Sequence, residues 1–212
     1  GDIFNWFVNY IQPGGKAGSH QALSRAAARI KPGASGLLAL DWNNGNRTIL
    51  VDPRLSGLLL GQTLYSTRAE IYRALIEATA FGTHKIIQAF KENGIAIDEL
   101  YACGGLPERN QLLTQIYSDI TGLEIKVAAS AQPSAPGAAM FGAVAAGKEA
   151  GGYDTAGEAA AKMARVKDRV FRPDPDAHKI YQKLYKEYET LHDYFGRGAN
   201  DVMRRLKAMR MQ

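Results

Sequence analysis

Cysteine is nearly missing from this chain of 212 residues. Cys103 stands alone, which excludes an internal disulfide framework and a cysteine-based zinc site. Histidine is scarce as well. His20, His84, His178 and His192 show no paired ligand spacing such as HxxxH or HExxH, so no metal site is expected. Long apolar runs are absent: none reaches the roughly 18–20 residues of a membrane span. The opening GDIFNWFVNYIQP has no basic n-region and no small-residue cleavage site, so it is not a signal peptide. It lacks an initiator methionine and opens on an amphipathic segment, which reads as the interior of a longer chain. The expectation is a soluble, cytoplasmic protein without a membrane partner.

Charge of one sign is also rarer than the total suggests. Lys plus Arg is 26 against 21 Asp plus Glu, a net of +5. Five of the basic residues (Arg197, Arg204, Arg205, Lys207, Arg210) face one acid, Asp201, in the last stretch, so residues 1–196 carry 21 bases and 20 acids. A near-neutral body with a basic tail at 197–212 does not form a nucleic-acid surface. Tyr181, Tyr185, Tyr188 and Tyr194 could suggest base stacking. Yet Lys179, Lys183 and Lys186 alternate there with Glu187, Glu189 and Asp193, so no basic stripe accompanies the rings. A packing helix fits better, with Ile180, Leu184, Tyr188, Leu191 and Phe195 as its inner positions.

What remains is a pattern of alternating elements. Residues 3–11 and 19–30 read as a pair of helices, the second capped by Ser19. GLLALDW (36–42) reads as a buried strand, WNNGNRT as a polar loop and DPRLSGLLLG as an irregular stretch. The strongest helix spans 67–92: Thr67 and Glu70 have capping-box spacing, and Ile71, Leu75, Ala78, Phe81 and Ile86 fall near a 3.6 period. Its small residues Ala74, Ala78 and Gly82 would let another backbone approach. Then come a strand at 100–103, a helix from about Glu108 to Thr121, a strand at 124–128 and a small-residue helix, AAMFGAVAAG. The alternation implies an α/β sheet with helical crossovers over residues 1–150. An Ala-rich helix (158–165) and the tyrosine-bearing helix form a helical extension at 151–196.

GGLPERN (104–110) is the most informative local motif. Two glycines after a strand and ahead of a helix let a ligand approach the backbone, and the helix N-terminus offers unpaired N–H groups. Asn110 carries an amide able to donate to and accept from a purine edge. The same pattern also serves as a plain tight turn, and no Gly-Lys-Ser/Thr follows as in a Walker A loop. QPSAPGAAMFGAVAAG (132–147) repeats the geometry, where small residues serve either close packing or close ligand approach. Cys103 is expected to be a buried strand thiol without an activating neighbour, and His84 a packing residue. Asp41, at a strand end, is a candidate general base or a turn cap.

Taken together, these stretches resemble the C-terminal domain of the FGGY family of carbohydrate kinases. In GLLLGQTLYSTRAEIYRALIE (57–77), Gly57, Leu59, Gly61, Glu70, Ile71, Ala74 and Glu77 fit the family's second signature, and Gln62 departs from it. GGLPERN is similar to the family's adenosine segment, and PGAAMFGAVAAG to its small-residue helix. DWNNGNRTILVDPRLSGLLLG, TAFGTHKII and ACGGLPERNQLLTQIYSDITG most resemble the L-ribulokinase branch.

The resemblance implies an α/β fold, the C-terminal lobe of an actin-like (ribonuclease H-like) kinase, lacking its first two strands. It implies ATP and Mg²⁺ as cofactors, and a ketopentose phosphorylated at a hydroxyl: L-ribulose, with xylulose as the competing substrate. Gly104, Gly105, Leu106 and Asn110 would bind the adenosine. The catalytic base, the phosphate loops and most of the sugar pocket belong to the family's N-terminal part, so this chain alone would be inactive. The missing strands would leave an open sheet edge, inviting self-association unless the tail or first helices cover it. A noncatalytic nucleotide-binding module on the same lobe is the alternative from another class.

Overall fold

The computed structural model describes residues 1–11, 19–130 and 132–210. The end of the tail, residues 211–212, lies outside them. Among the described residues no helix is long and apolar enough to cross a membrane. The chain opens with α1 (Asp2–Trp6), continued as a π-helical turn (Phe7–Ile11), and α2 (His20–Ala27). Strands β1 (Leu38–Leu40) and β2 (Leu58–Leu60) precede the long α3 (Arg68–Glu92). Then come β3 (Glu99–Ala102), α4 (Gly105–Arg109), α5 (Gln111–Thr121), β4 (Glu124–Ala128) and α6 (Ser134–Ala146). Helix α7 (Ala156–Met163), β5 (Val166–Phe171), α8 (Pro175–Gly196) and α9 (Val202–Arg210) complete the order.

The strands form two sheets rather than one. β1 pairs antiparallel with β2, Leu38 opposite Leu60, and β3 pairs in parallel with β4, Leu100 opposite Ile125. β5 adds antiparallel to the other side of β4. β2 sits in the stretch expected to be irregular, and β5 lies between the two helices expected in the 151–196 extension. VKDRVF exposes its first four residues and buries Phe171, so its charges mark an edge strand that hydrophobic patterning misses. Among the described residues the outer edge of β3 has no strand partner.

Helix α3 is the spine. Its expected capping box is present: Thr67 Oγ1 accepts from the Glu70 N–H at 3.3 Å, and Glu70 Oε2 accepts from the Thr67 N–H at 2.7 Å. Phe81 packs on Tyr181, Tyr185 and Tyr188 of α8, with centroids 6.1, 6.0 and 5.4 Å away. These tyrosines with His192 are the buried line of α8, while Ile180 is 40% exposed. Of the expected inner positions Tyr188 is buried, and Leu184, Leu191 and Phe195 pack half-buried against the core. Ile180 alone is turned outward, so the inner face centres on the rings beside Phe81. His84 packs as expected, its ring 4.5 Å from Tyr185, and burial lowers its pKa to about 4.

The signature glycines are steric. Gly61 is left-handed (φ +89°), and a Cβ there would overlap the Gly36 carbonyl oxygen. A Cβ on Gly57 would stand 2.7 Å from Asn43 Oδ1. The basic tail is a docked helix. Arg204 Nε donates to Asp52 Oδ2 at 2.8 Å, its Nη2 donates to the Gly196 carbonyl at 2.9 Å, and Met203 is buried. Helix α6 is the exception to good packing: none of its residues is buried, and Phe141 is 71% exposed.

Candidate functional site

The segment after β3 folds differently from a single helix starting near Glu108. Gly104 takes φ +86°, a one-turn helix α4 follows, and the chain breaks at Asn110. Asn110 Oδ1 accepts from the Leu113 N–H at 3.1 Å and so caps α5. Asn110 Oδ1 thus holds the start of α5, and the buried amide also lies beside the Tyr72 hydroxyl, with which its side chain hydrogen-bonds. Leu106 is 41% exposed. Among the described residues no atom lies within 4 Å of where a Cβ on Gly104 would stand. Cys103, expected to be buried, is exposed just beyond the end of β3.

Leu106 and Asn110 meet in a cavity of about 940 Å³, whereas Gly104 and Gly105 do not line it. Its volume falls within the roughly 300–1,000 Å³ range of small-molecule sites. The opposite wall is α2. Ser19 Oγ accepts from the Ala22 N–H at 3.3 Å and starts that helix. Leu23 and Ala27 anchor it in the core, which turns His20, Ser24 and Arg25 toward the cavity. Tyr72 of α3 forms part of the lining, its hydroxyl 3.3 Å from His20 Nδ1, and burial raises its phenol pKa. Arg109 contributes a planar cation, and Glu108 beside it is paired with Lys167. The α2 residues were not among the sequence candidates. Their polar spacing on an amphipathic helix looks the same whether it faces solvent or a cavity.

Burial of α2 depends on a charged cluster beneath it. Arg73 of α3 donates through Nη1 to the Ala27 carbonyl at 3.0 Å, through Nε to Glu77 at 2.7 Å and through Nη2 to the Tyr181 hydroxyl at 2.6 Å. The Tyr181 hydroxyl donates in turn to Glu77 at 2.8 Å. Desolvation raises the pKa of Glu77 even with Arg73 alongside. The cluster joins α2, α3 and α8, so it fixes where the cavity wall stands.

The cavity is thus amphipathic, with an aliphatic ledge at Leu106, a buried phenol beside the Asn110 amide, and two guanidinium groups. That set can take a planar heteroaromatic ring with an anionic appendage.

The sequence matches the FGGY family of carbohydrate kinases, C-terminal domain, over residues 1–146. Among curated relatives, the ribulokinase of Halalkalibacterium halodurans is 60% identical, the match covering 99% of this chain and 39% of that protein. The ribulokinase of Geobacillus thermodenitrificans is 57% identical, covering 98% and 38%. The chain therefore spans about 39% of the length of such relatives. Among solved structures, a xylulose kinase from Rhodospirillum rubrum superposes with a TM-score of 0.75 at 28% identity, covering 90% of this chain and 37% of that one. A gluconate kinase from Lactobacillus acidophilus gives 0.78 at 21% identity, over 93% and 38%, a likeness of fold. The fold is accordingly that of the C-terminal, actin-like domain of these kinases. With its signature glycines, its post-strand Gly-Gly and a match over most of its length, this chain belongs to the FGGY family of carbohydrate kinases.

Proposed function

We propose that this chain forms the adenosine wall of an ATP-dependent kinase that phosphorylates L-ribulose to L-ribulose 5-phosphate. The observation that carries the reading is the meeting of Leu106 and Asn110 with α2 in one nucleoside-sized cavity. The 60% identity to a ribulokinase favours L-ribulose over xylulose. Leu106 would pack on the adenine face and the Asn110 N–H₂ would donate to a ring nitrogen. Gly104 and Gly105, outside the lining, would leave the backbone open where the nucleotide leaves the cavity. Phosphoryl transfer is chiefly positioning and charge neutralisation, and these residues do the positioning. Among the described residues no three His, Cys, Asp or Glu side chains stand together to hold a metal ion. The donors for Mg²⁺ and the base that takes the sugar proton would come from the rest of a ribulokinase-length protein.

Titration of ATP and ADP into the 212-residue chain tests the reading. Weak binding is expected, abolished by Leu106→Asp, with no turnover of L-ribulose by this chain alone. Undiminished binding to the Leu106→Asp variant, with an unchanged circular dichroism spectrum, would refute the assignment of the site. Preference of a ribulokinase-length protein for xylulose over L-ribulose would refute the substrate.

A further inference from the structure

Tyr72 stands at the floor of the nucleotide cavity, where three other lining side chains, His20, Ser24 and Asn110, meet its hydroxyl. The tyrosine is 1% exposed and its ring is wedged by Phe4 and Phe7, with centroids 5.6 and 6.2 Å away. Its hydroxyl is therefore held in place. A phenol oxygen carries one proton and can accept two more hydrogen bonds. Burial raises the pKa of this phenol, so it keeps its proton, and hydrogen bonds from Ser24 and then Asn110 oppose the rise. That is the sense of bonds donated to the oxygen, because a donor favours the charged form. For Asn110 the geometry agrees. Its Oδ1 accepts from the Leu113 N–H at 3.1 Å, which leaves the N–H₂ group to meet Tyr72.

With both acceptor positions filled, the phenol proton goes to the remaining neighbour. His20 Nδ1 lies 3.3 Å from the hydroxyl, the two ring centroids 6.3 Å apart. Nδ1 is then the acceptor, and a neutral imidazole in that state carries its own proton on Nε2. His20 is the first residue of α2, exposed and part of the cavity lining. Among the described residues no hydrogen bond reaches its Nε2. The hydrogen bonds thus run in one direction, from Asn110 through Tyr72 to His20, and end on an N–H. Arg25 and Arg109 in the same lining are cations that suit an anion. The imidazole N–H is a neutral donor, which suits a ring nitrogen.

We propose that His20 is a base-contacting residue of this cavity, its Nε2–H donating to a ring nitrogen of the purine, and that Tyr72 is the positioning residue that holds it. The inference rests on the nucleotide reading of the cavity. Asn110 keeps one of its two amide protons for the ligand after meeting Tyr72, so the two donors address two ring nitrogens. Helix α2 then takes part in selecting the ligand, besides forming a wall.

The test is long-range proton–nitrogen NMR at pH 8 on the 212-residue chain, isotope-labelled at nitrogen, with ADP as the probe. In the free chain His20 should carry its proton on Nε2, with Nδ1 accepting a hydrogen bond that Tyr72→Phe removes. ADP should move the Nε2 signal. His20→Ala should weaken ADP about three- to tenfold, the worth of one neutral hydrogen bond. His20→Gln, which places an N–H₂ near the Nε2 position, should restore most of that affinity. Tyr72→Phe should weaken ADP in the wild type and add little to His20→Ala, because it acts through His20. One ADP analogue with a ring nitrogen replaced by C–H should bind the wild type less well than ADP, and His20→Ala as well as ADP does.

ADP binding that depends on Leu106 but is equal in the wild type and His20→Ala overturns this proposal and leaves the nucleotide reading standing. A proton on Nδ1 in the free chain overturns the role of Tyr72. ADP that does not bind, or that binds Leu106→Asp as well as the wild type, overturns the nucleotide reading and this proposal together.

Discussion

Replacing Glu77 by Leu should be among the most damaging single changes in this fold. The side chain sits in the core with only 4% of its surface exposed, paired with Arg73 at 5%. Losing the acid strands a guanidinium that cannot shed its charge. Breaking a buried pair from one side costs about 3–5 kcal/mol, and a chain of this size loses roughly 2–4 °C of Tm per kcal/mol. The expected drop is roughly 6–20 °C. Arg73→Met should cost less at low pH, because the orphaned Glu77 can protonate. Its folded-state pKa is raised by burial, so this variant should lose stability as pH rises from 5 to 8. Tyr181→Phe removes two hydrogen bonds to charged partners and should cost about 1.5–3 kcal/mol. The double variant Arg73→Met/Glu77→Leu leaves no stranded charge and should lose clearly less than the sum of the singles.

Scanning calorimetry at pH 5, 6.5 and 8 measures all four variants. The Arg73 guanidinium also satisfies the α2 C-terminal carbonyl of Ala27, so nucleotide affinity should fall in Arg73→Met below its melting range. Single variants that shift Tm by less than about 3 °C, or effects that simply add, would refute the view that these three residues act as one unit.

Two further outcomes follow from the edges of the molecule. Arg54 and then Arg204 hold the Asp52 carboxyl well below the usual carboxylate range. Its contribution is therefore fully present above the unfolded value of about 4 and is lost progressively as pH falls from there through the much lower folded-state value. Hydrogen exchange in α9 should accelerate as pH falls through that range, and Arg204→Ala should cost about 1–2 kcal/mol at pH 7 and clearly less at pH 2. An α9 equally protected at both pH values contradicts this. We also propose that the open edge of β3 pairs with a second copy, since α9 docks at Asp52 and Pro53 instead. Light scattering should show mass rising with concentration and Tyr101→Lys reducing it; a monodisperse monomer at every concentration rules it out.

What the sequence revealed in advance was local. Thr67 and Glu70 announce the start of α3 because a capping box closes within four residues, and Ser19 announces α2 likewise. The inner face of α8 was largely legible, Tyr188 lying in the core and Leu184, Leu191 and Phe195 against it. The burial of Tyr181 and Tyr185 needed the third dimension, since it comes from packing on Phe81. The Asn110 break, the α2 wall of the cavity and the approach of Asp41 to Gly82 were hidden for the same reason: each depends on residues distant in the chain.

The family signature carries its information differently. Gly57 and Gly61 fit it because side chains there would strike Asn43 and Gly36, and Glu77 fits it because Arg73 and Tyr181 need an acceptor in the core. These residues do not line the nucleotide cavity. The motif therefore marks the kinase family through packing constraints that any catalytic variation must preserve. The adenosine assignment rests on the less regular GGLPERN segment, where Leu106 is exposed and Asn110 lines the same cavity. Helix α6 completes the contrast. It has core composition without one buried residue, in a chain spanning 39% of its relatives' length.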